Sequence, residues 1–202
     1  MLEIQIDANR VERGVRNGGM IFRTNNGAEV LNKFWEEREM YIAEKYWNNY
    51  IGDTDDSLTL VEYLAEKQKE GISLGEIFAD FGLDHMQGEF RKPEVPLVFE
   101  NSEGEEVEIH YAIDLITDLA ALLLECRVSG SVNLCELFGF DLETSVPDVC
   151  ITASAEEHEL MNKVLKDFAA DPLAYDLSEM VPEEDMMEMA RLCEELRQEL
   201  YA

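Results

Sequence analysis

Fifteen consecutive residues, Ala112 to Cys126, read AIDLITDLAALLLEC, and their charges fall only at Asp114, Asp118 and Glu125. On a 3.6-residue repeat this leaves one narrow hydrated strip and apolar surface around the rest of the circumference. A helix of that kind is expected in the middle of a core, with only the strip meeting water. It is too short to cross a bilayer, and spaced carboxylates argue against that setting as well.

The rest of the chain can supply the covering. Of its 202 residues 46% are hydrophobic and 9% aromatic, and 5 Pro with 12 Gly is too little punctuation for a disordered chain. The expected fold is α+β: a mostly helical single domain with two β-hairpins around the central helix 112–126, and a degenerate internal repeat. Three regions are read within it: a basic hairpin region over 1–25, central helices and a second hairpin over 26–151, and acidic helices over 152–202.

The first region alternates in LEIQI and again in VERGVRNGGMIFRT, broken at Asn17-Gly18-Gly19, which supplies the positive φ of a tight turn. It holds Arg10, Arg13, Arg16 and Arg23. A long helix is expected from Ala28 to about Tyr50, on a stripe of Val30, Leu31, Phe34, Trp35, Tyr41, Ile42, Tyr46 and Trp47. Gly52-Asp53-Thr54-Asp55-Asp56 resembles the start of a calcium loop, but Leu58 and Leu64 stand where an EF-hand needs Gly and Glu. Asp56 or Ser57 is instead read as the N-cap of a helix from Leu58 to Glu70, closed by Gly71.

Ser73 and Glu76 have capping-box spacing before a short helix that Gly82 stops, and the stretches 95–100 and 106–111 form the second hairpin. The segment Gly71 to Phe78 shares the order Ser/Asn-Leu-x-Glu-Ile/Leu-Phe with Gly130 to Phe138, and a Val-Pro strand follows each. Ser154 with Glu157 opens a helix reaching Ala170, and Pro182 opens the last one. The stripe Met186, Met189, Ala190, Cys193, Leu196 and Leu200 turns that last helix inward.

Chemistry leaves little trace. His85, His110 and His158 lie far apart without metal-ligand spacing, and no phosphate loop or nucleophile elbow is present. Cys126, Cys135, Cys150 and Cys193 lack paired CxxC spacing and are read as buried free thiols. Neither enzyme, cofactor nor metal site is expected. The start MLEIQIDANR has no basic segment followed by an apolar run, so the expected address is the cytoplasm and no membrane contact is expected.

Charge is the strongest remaining signal. The chain holds 45 Asp and Glu against 16 Lys and Arg, a formal net of −29; residues 1–25 carry +1 and the remainder −30. The acid is Glu-rich and accompanied by many Met, Cys, Ile and aromatic residues, a composition unlike that of salt-adapted proteins. Duplex DNA carries one charge per about 1.7 Å, so an excess of this size equals roughly 50 Å of duplex. The pattern resembles that of DNA-mimic inhibitors of restriction or CRISPR machinery and of acidic immunity proteins that neutralise nuclease toxins. That resemblance implies a non-enzymatic inhibitor whose acidic face occupies a basic, nucleic-acid-binding surface of a partner protein.

Glu156, Glu157, Glu159, Glu183, Glu184, Asp185, Glu188, Glu194 and Glu195 are the expected face, clustered on two successive helices against Lys163, Lys166, Arg191 and Arg197. The alternative is a structural or regulatory adaptor whose acidity serves solubility, contacting its partner through Arg10, Arg13, Arg16 and Arg23.

Overall fold

A computed structural model of the chain describes residues 13–16, 19–23, 29–32, 40–86, 88–93, 97–101, 104–138 and 146–201. It divides into two compact units, Met1–Arg38 and Glu39–Ala202. In the first, β1 (Arg13–Arg16), β2 (Gly19–Arg23) and β3 (Glu29–Asn32) form an antiparallel sheet in that order. Arg16 pairs with Gly19, which belongs to β2, while Asn17 and Gly18 of the expected turn lie outside the described residues. LEIQI lies outside the described residues.

The expected helix from Ala28 to Tyr50 does not form. Val30 and Leu31 pair with Phe22 and Ile21 in β3, and among the described residues of that stretch the helix is α1 (Tyr41–Lys45). Asn48 and Tyr50 then take left-handed φ of 60° and 64°, which ends any helical run. Four residues fit either period, and pairing with β2 settled the matter.

The second unit continues with α2 (Asp55–Lys67), β4 (Gly71–Ser73), α3 (Leu74–Asp80), β5 (Leu97–Glu100), β6 (Glu106–Ile109), α4 (Ala112–Ser129), α5 (Leu134–Phe138), β7 (Cys150–Thr152), α6 (Ala155–Ala170) and α7 (Glu183–Tyr201). Short 3₁₀ turns occupy Leu83–Met86, Pro172–Ala174 and Asp176–Glu179. The mostly helical α+β class is as the sequence indicates.

Local signals set most of the boundaries. Ser154 and Glu157 form the expected capping box of α6, and the Ser73 hydroxyl accepts the Glu76 amide at the start of α3. For α2 the cap is Thr54, in a reciprocal arrangement with Ser57, rather than Asp56 or Ser57. Its C-terminus turns at Gln68, φ 49°, rather than at Gly71. Gly71 instead begins β4, which pairs in parallel with β7, Ile72 opposite Ile151. Parallel pairing between strands almost eighty residues apart leaves no local signature in either of them.

The helix α4 is the hub, packed by α1, α2, α6, α7 and β7. Every residue from Ala112 to Glu125 is buried, so the predicted hydrated strip is dry. The segment from Met40 to Asp53 lies along it. Glu125 Oε2 accepts the Ile42 amide at 2.9 Å, and Asp118 Oδ1 accepts the Gly52 amide at 2.8 Å.

The β5–β6 hairpin closes one side of the core through its inward residues. Phe99 meets Tyr63 and Phe81 at ring-centroid distances of 5.1 and 5.0 Å, and the Tyr63 hydroxyl donates to Asp80 at 2.9 Å. The two repeat-like segments share their cap, since Asn133 accepts the Glu136 amide as Ser73 accepts that of Glu76. The strands that follow differ, β5 pairing antiparallel with β6 and β7 parallel with β4. Of the cysteines only Cys193 is buried; Cys126, Cys135 and Cys150 are half-exposed, all four free.

Candidate functional site

Residues 1–38 hold six acidic and six basic side chains, so the entire formal −29 falls on the unit from Glu39 onward. Part of that acid is structural. Met40 as N-cap offers α1 no side-chain cap, and the buried helix start is met by remote carboxylates: Glu136 accepts the Met40 amide at 2.9 Å and Glu125 that of Ile42. Tyr111 offers α4 none either, and there the buried Asp56 of α2 accepts the His110 amide at 3.0 Å and that of Tyr111 at 2.8 Å. Asp56 also faces His110 Nδ1 at 3.1 Å, which raises the imidazole pKa above its ordinary value.

The nine acidic residues expected to form a face do not behave alike. Along α7, Arg191 is bracketed by Glu188 and Glu195 one turn to either side, and Arg197 binds Glu194 at 2.7 Å. Arg197 and the Gln198 amide together hold the Glu194 carboxyl down at about 2. On α6, Glu157 is turned back into its capping box. Asp185 accepts the Tyr50 hydroxyl at 3.0 Å. Glu156, Glu159, Glu183 and Glu184 remain exposed, the last two in the first turn of α7 where the helix dipole favours them. Of the arginines, Arg13 and Arg16 stand in β1 and Arg23 in β2 opposite Glu29; Arg10 lies outside the described residues.

A second set of acids comes together at the start of α4, and sequence reasoning missed it. Asp114 is 4% and Asp118 1% exposed. Asp118 follows Asp114 one helical turn on, and the charges of Asp118, Asp56, Asp53 and Asp176 all act on the Asp114 carboxyl. Burial first, and then those four charges, push the Asp114 pKa up to about 8. Burial likewise raises Asp118 to about 7 against the Gly52 amide, which favours its anion. The bases placed against this group are His110, on Asp56, and Lys92, on Glu179 at 2.7 Å.

The loop Tyr50–Asp53 joins this set to α7, with Tyr50 on Asp185, Gly52 on Asp118 and the Asp53 charge acting on Asp114. The available signal was three carboxylates in an otherwise apolar helix, each expensive to bury. Among the described residues no group of His, Cys, Asp and Glu is placed to hold a metal ion, and no helix is long and apolar enough to cross a membrane.

The fold and its charge thus define an acidic, mostly helical α+β protein in which many carboxylates cap helices or neutralise arginines while others stand unneutralised at one end. Residues 41–200 match the family described as Immunity protein 68 (Imm68), and the chain belongs to it. It is accordingly an immunity-type protein, a class that binds a partner toxin or other protein. No curated protein and no solved structure matches the chain. The match begins just inside the second unit, so the arginine-bearing strands fall outside it.

Proposed function

We propose that this protein is a non-enzymatic cytoplasmic inhibitor whose acidic end covers the cationic, nucleic-acid-binding surface of a nuclease-type toxin. One observation carries the reading: the unit that matches the immunity family holds the entire net charge, and its acids at the start of α4 and of α7 lack the arginine partners that neutralise the later turns of α7. Charge of one sign gathered on a surface speeds encounter with a complementary protein and makes the complex salt-sensitive. The reading moves the contact from all nine C-terminal acids to Asp53, Asp176, Glu179, Glu183, Glu184 and Asp185.

The test is to capture the toxin on immobilised protein and elute it along a salt gradient, with and without duplex DNA. Release at moderate salt and competition by duplex support mimicry of nucleic acid. Retention at high salt without competition would remove mimicry and leave the immunity role standing. Charge reversal separates the two faces: Glu184→Lys with Glu179→Lys should weaken capture, whereas Glu188→Lys with Glu195→Lys should not. The opposite ranking would return the contact to the outer face of α7.

A further inference from the structure

Cys126 directly follows the buried run of α4, and its thiol is set against the edge of β7. The sulfur accepts the Ile151 amide at 3.1 Å and donates to the Val149 carbonyl at 3.8 Å. Those two groups belong to the residues on either side of Cys150. Main-chain dimensions therefore put the Cys150 Cα within about 5.5 Å of the Cys126 sulfur, the reach of a disulfide. The strand explains the placement. The Cys150 amide points to β4, donating to the Glu70 carbonyl at 2.9 Å, so the Ile151 amide emerges on the opposite edge and meets the helix.

Both thiols are free and half-exposed, within reach of a small oxidant in water. Cys193 is not, being fully buried and donating to the Leu165 carbonyl. Burial pushes the Cys126 thiol up to about 12, and the neighbouring Cys150 thiol contributes to the shift. A thiol kept protonated is a poor first nucleophile, so Cys150 meets the oxidant and Cys126 resolves the product.

We propose that Cys126 and Cys150 are a hydroperoxide-reactive pair that closes to a disulfide and fastens the end of α4 to β7. The Cys150 sulfur attacks one oxygen of the hydroperoxide; the O–O bond breaks, the thiol proton ends on the departing oxygen, and an S–O bond makes the sulfenic acid. The Cys126 sulfur then attacks that sulfur; the S–O bond breaks and the Cys126 proton leaves with the hydroxyl as water. Two electrons pass from the two thiols to the peroxide. The closed loop spans residues 127–149 and includes Glu136, the acceptor of the Met40 amide, so the oxidised form resists unfolding. In the cytoplasmic setting argued above the bond forms under oxidant and is undone by small thiols. The pair acts without the toxin and stands whether or not that partner is cationic.

The full-length protein is treated with hydrogen peroxide, quenched with N-ethylmaleimide, weighed intact and digested without reduction. The expected result is a loss of about 2 Da and of two alkylatable thiols, with one peptide joining Cys126 to Cys150. The urea midpoint should lie above that of the dithiothreitol-treated protein. In Cys126→Ser, which keeps an acceptor for the Ile151 amide, oxidation should stop at a Cys150 sulfenic acid that dimedone traps. In Cys135→Ser the bond should still form. Conversion of Cys150 to sulfinic acid in the wild-type protein without the joined peptide, or a bond from either cysteine to Cys135 instead, overturns the pair. Full alkylation of both after peroxide does the same, and an unchanged urea midpoint in the linked protein overturns the fastening.

Discussion

The Gly52 amide donates to Asp118 Oδ1 at 2.8 Å while the Trp47 indole lies over the same glycine. That glycine has φ +76°, and a Cβ built on it would fall inside the indole. The turn therefore serves two purposes at once, bonding one oxygen of a buried carboxyl and seating a buried tryptophan, and both depend on the missing side chain.

Gly52→Ala should be among the most damaging small substitutions in the chain. Left-handed strain and overpacking each contribute about 1–3 kcal/mol. Urea unfolding should show a loss of about 3 kcal/mol, and a loss under 1 kcal/mol would mean that the loop relaxes freely away from Trp47.

Glu125 is fully buried with both oxygens in use, accepting the Ile42 amide and the Ser129 hydroxyl at 2.5 Å. In Glu125→Ala the Ile42 N–H at the start of α1 is left without its acceptor, which costs about 1–3 kcal/mol beyond the lost packing. Glu125→Gln keeps an acceptor for that amide and should recover part of the loss. Equal unfolding midpoints for the two variants would show that the hydrogen bond contributes nothing.

Stability should fall as pH rises through neutrality. Asp114 and Asp118 are raised to about 8 and about 7 in the folded protein, against 3.8 for the ordinary carboxyl. The folded state therefore binds more protons than the unfolded one between those limits. The slope is at most about 1.4 kcal/mol per pH unit for each carboxyl. The stabilisation is fully present near pH 4 and lost by about pH 8. Denaturation midpoints measured across that window should decline in the wild-type protein and decline less in Asp114→Asn and Asp118→Asn. A flat profile in the wild type would contradict the assignment.

His110 shifts the other way in charge but the same way in pKa. Its Nδ1 stands beside the Asp56 carboxylate, which favours the imidazolium and raises its pKa. The stabilisation is present below the ordinary imidazole value of about 6.5 and lost as pH rises through the raised folded value. The imidazole resonances should titrate above that ordinary value and return to it in Asp56→Asn. Unchanged titration in the variant would show that Asp56 serves only the two backbone amides.

Local rules read well where the signal was local. The capping box at Ser154, the hairpin between Glu100 and Glu106, and the inward stripe of α7 from Met186 to Leu200 all stand where the sequence placed them. The helix expected over Ala28–Tyr50 failed because Val30 and Leu31 suit a strand as readily as a helix, and the choice lay in a partner strand. The candidate face was half legible. Adjacent acids on α6 and α7 can be counted from the sequence, but an arginine one turn away neutralises some of them and a cap consumes another.

By itself the sequence determined that α4 would be buried, because a run of Leu, Ile and Ala offers water almost nothing. It also determined that the charge would lie beyond the first 25 residues, which carry +1 against −30 for the remainder. Tertiary structure decided what the three carboxylates of α4 would meet. Glu125 Oε2 and Asp118 Oδ1 found backbone amides of the Met40–Asp53 segment, while Asp118 Oδ2 was buried without a hydrogen-bond partner among the described residues. The partners of a buried charge lie tens of residues away along the chain, and no periodicity in the helix records which of them will arrive.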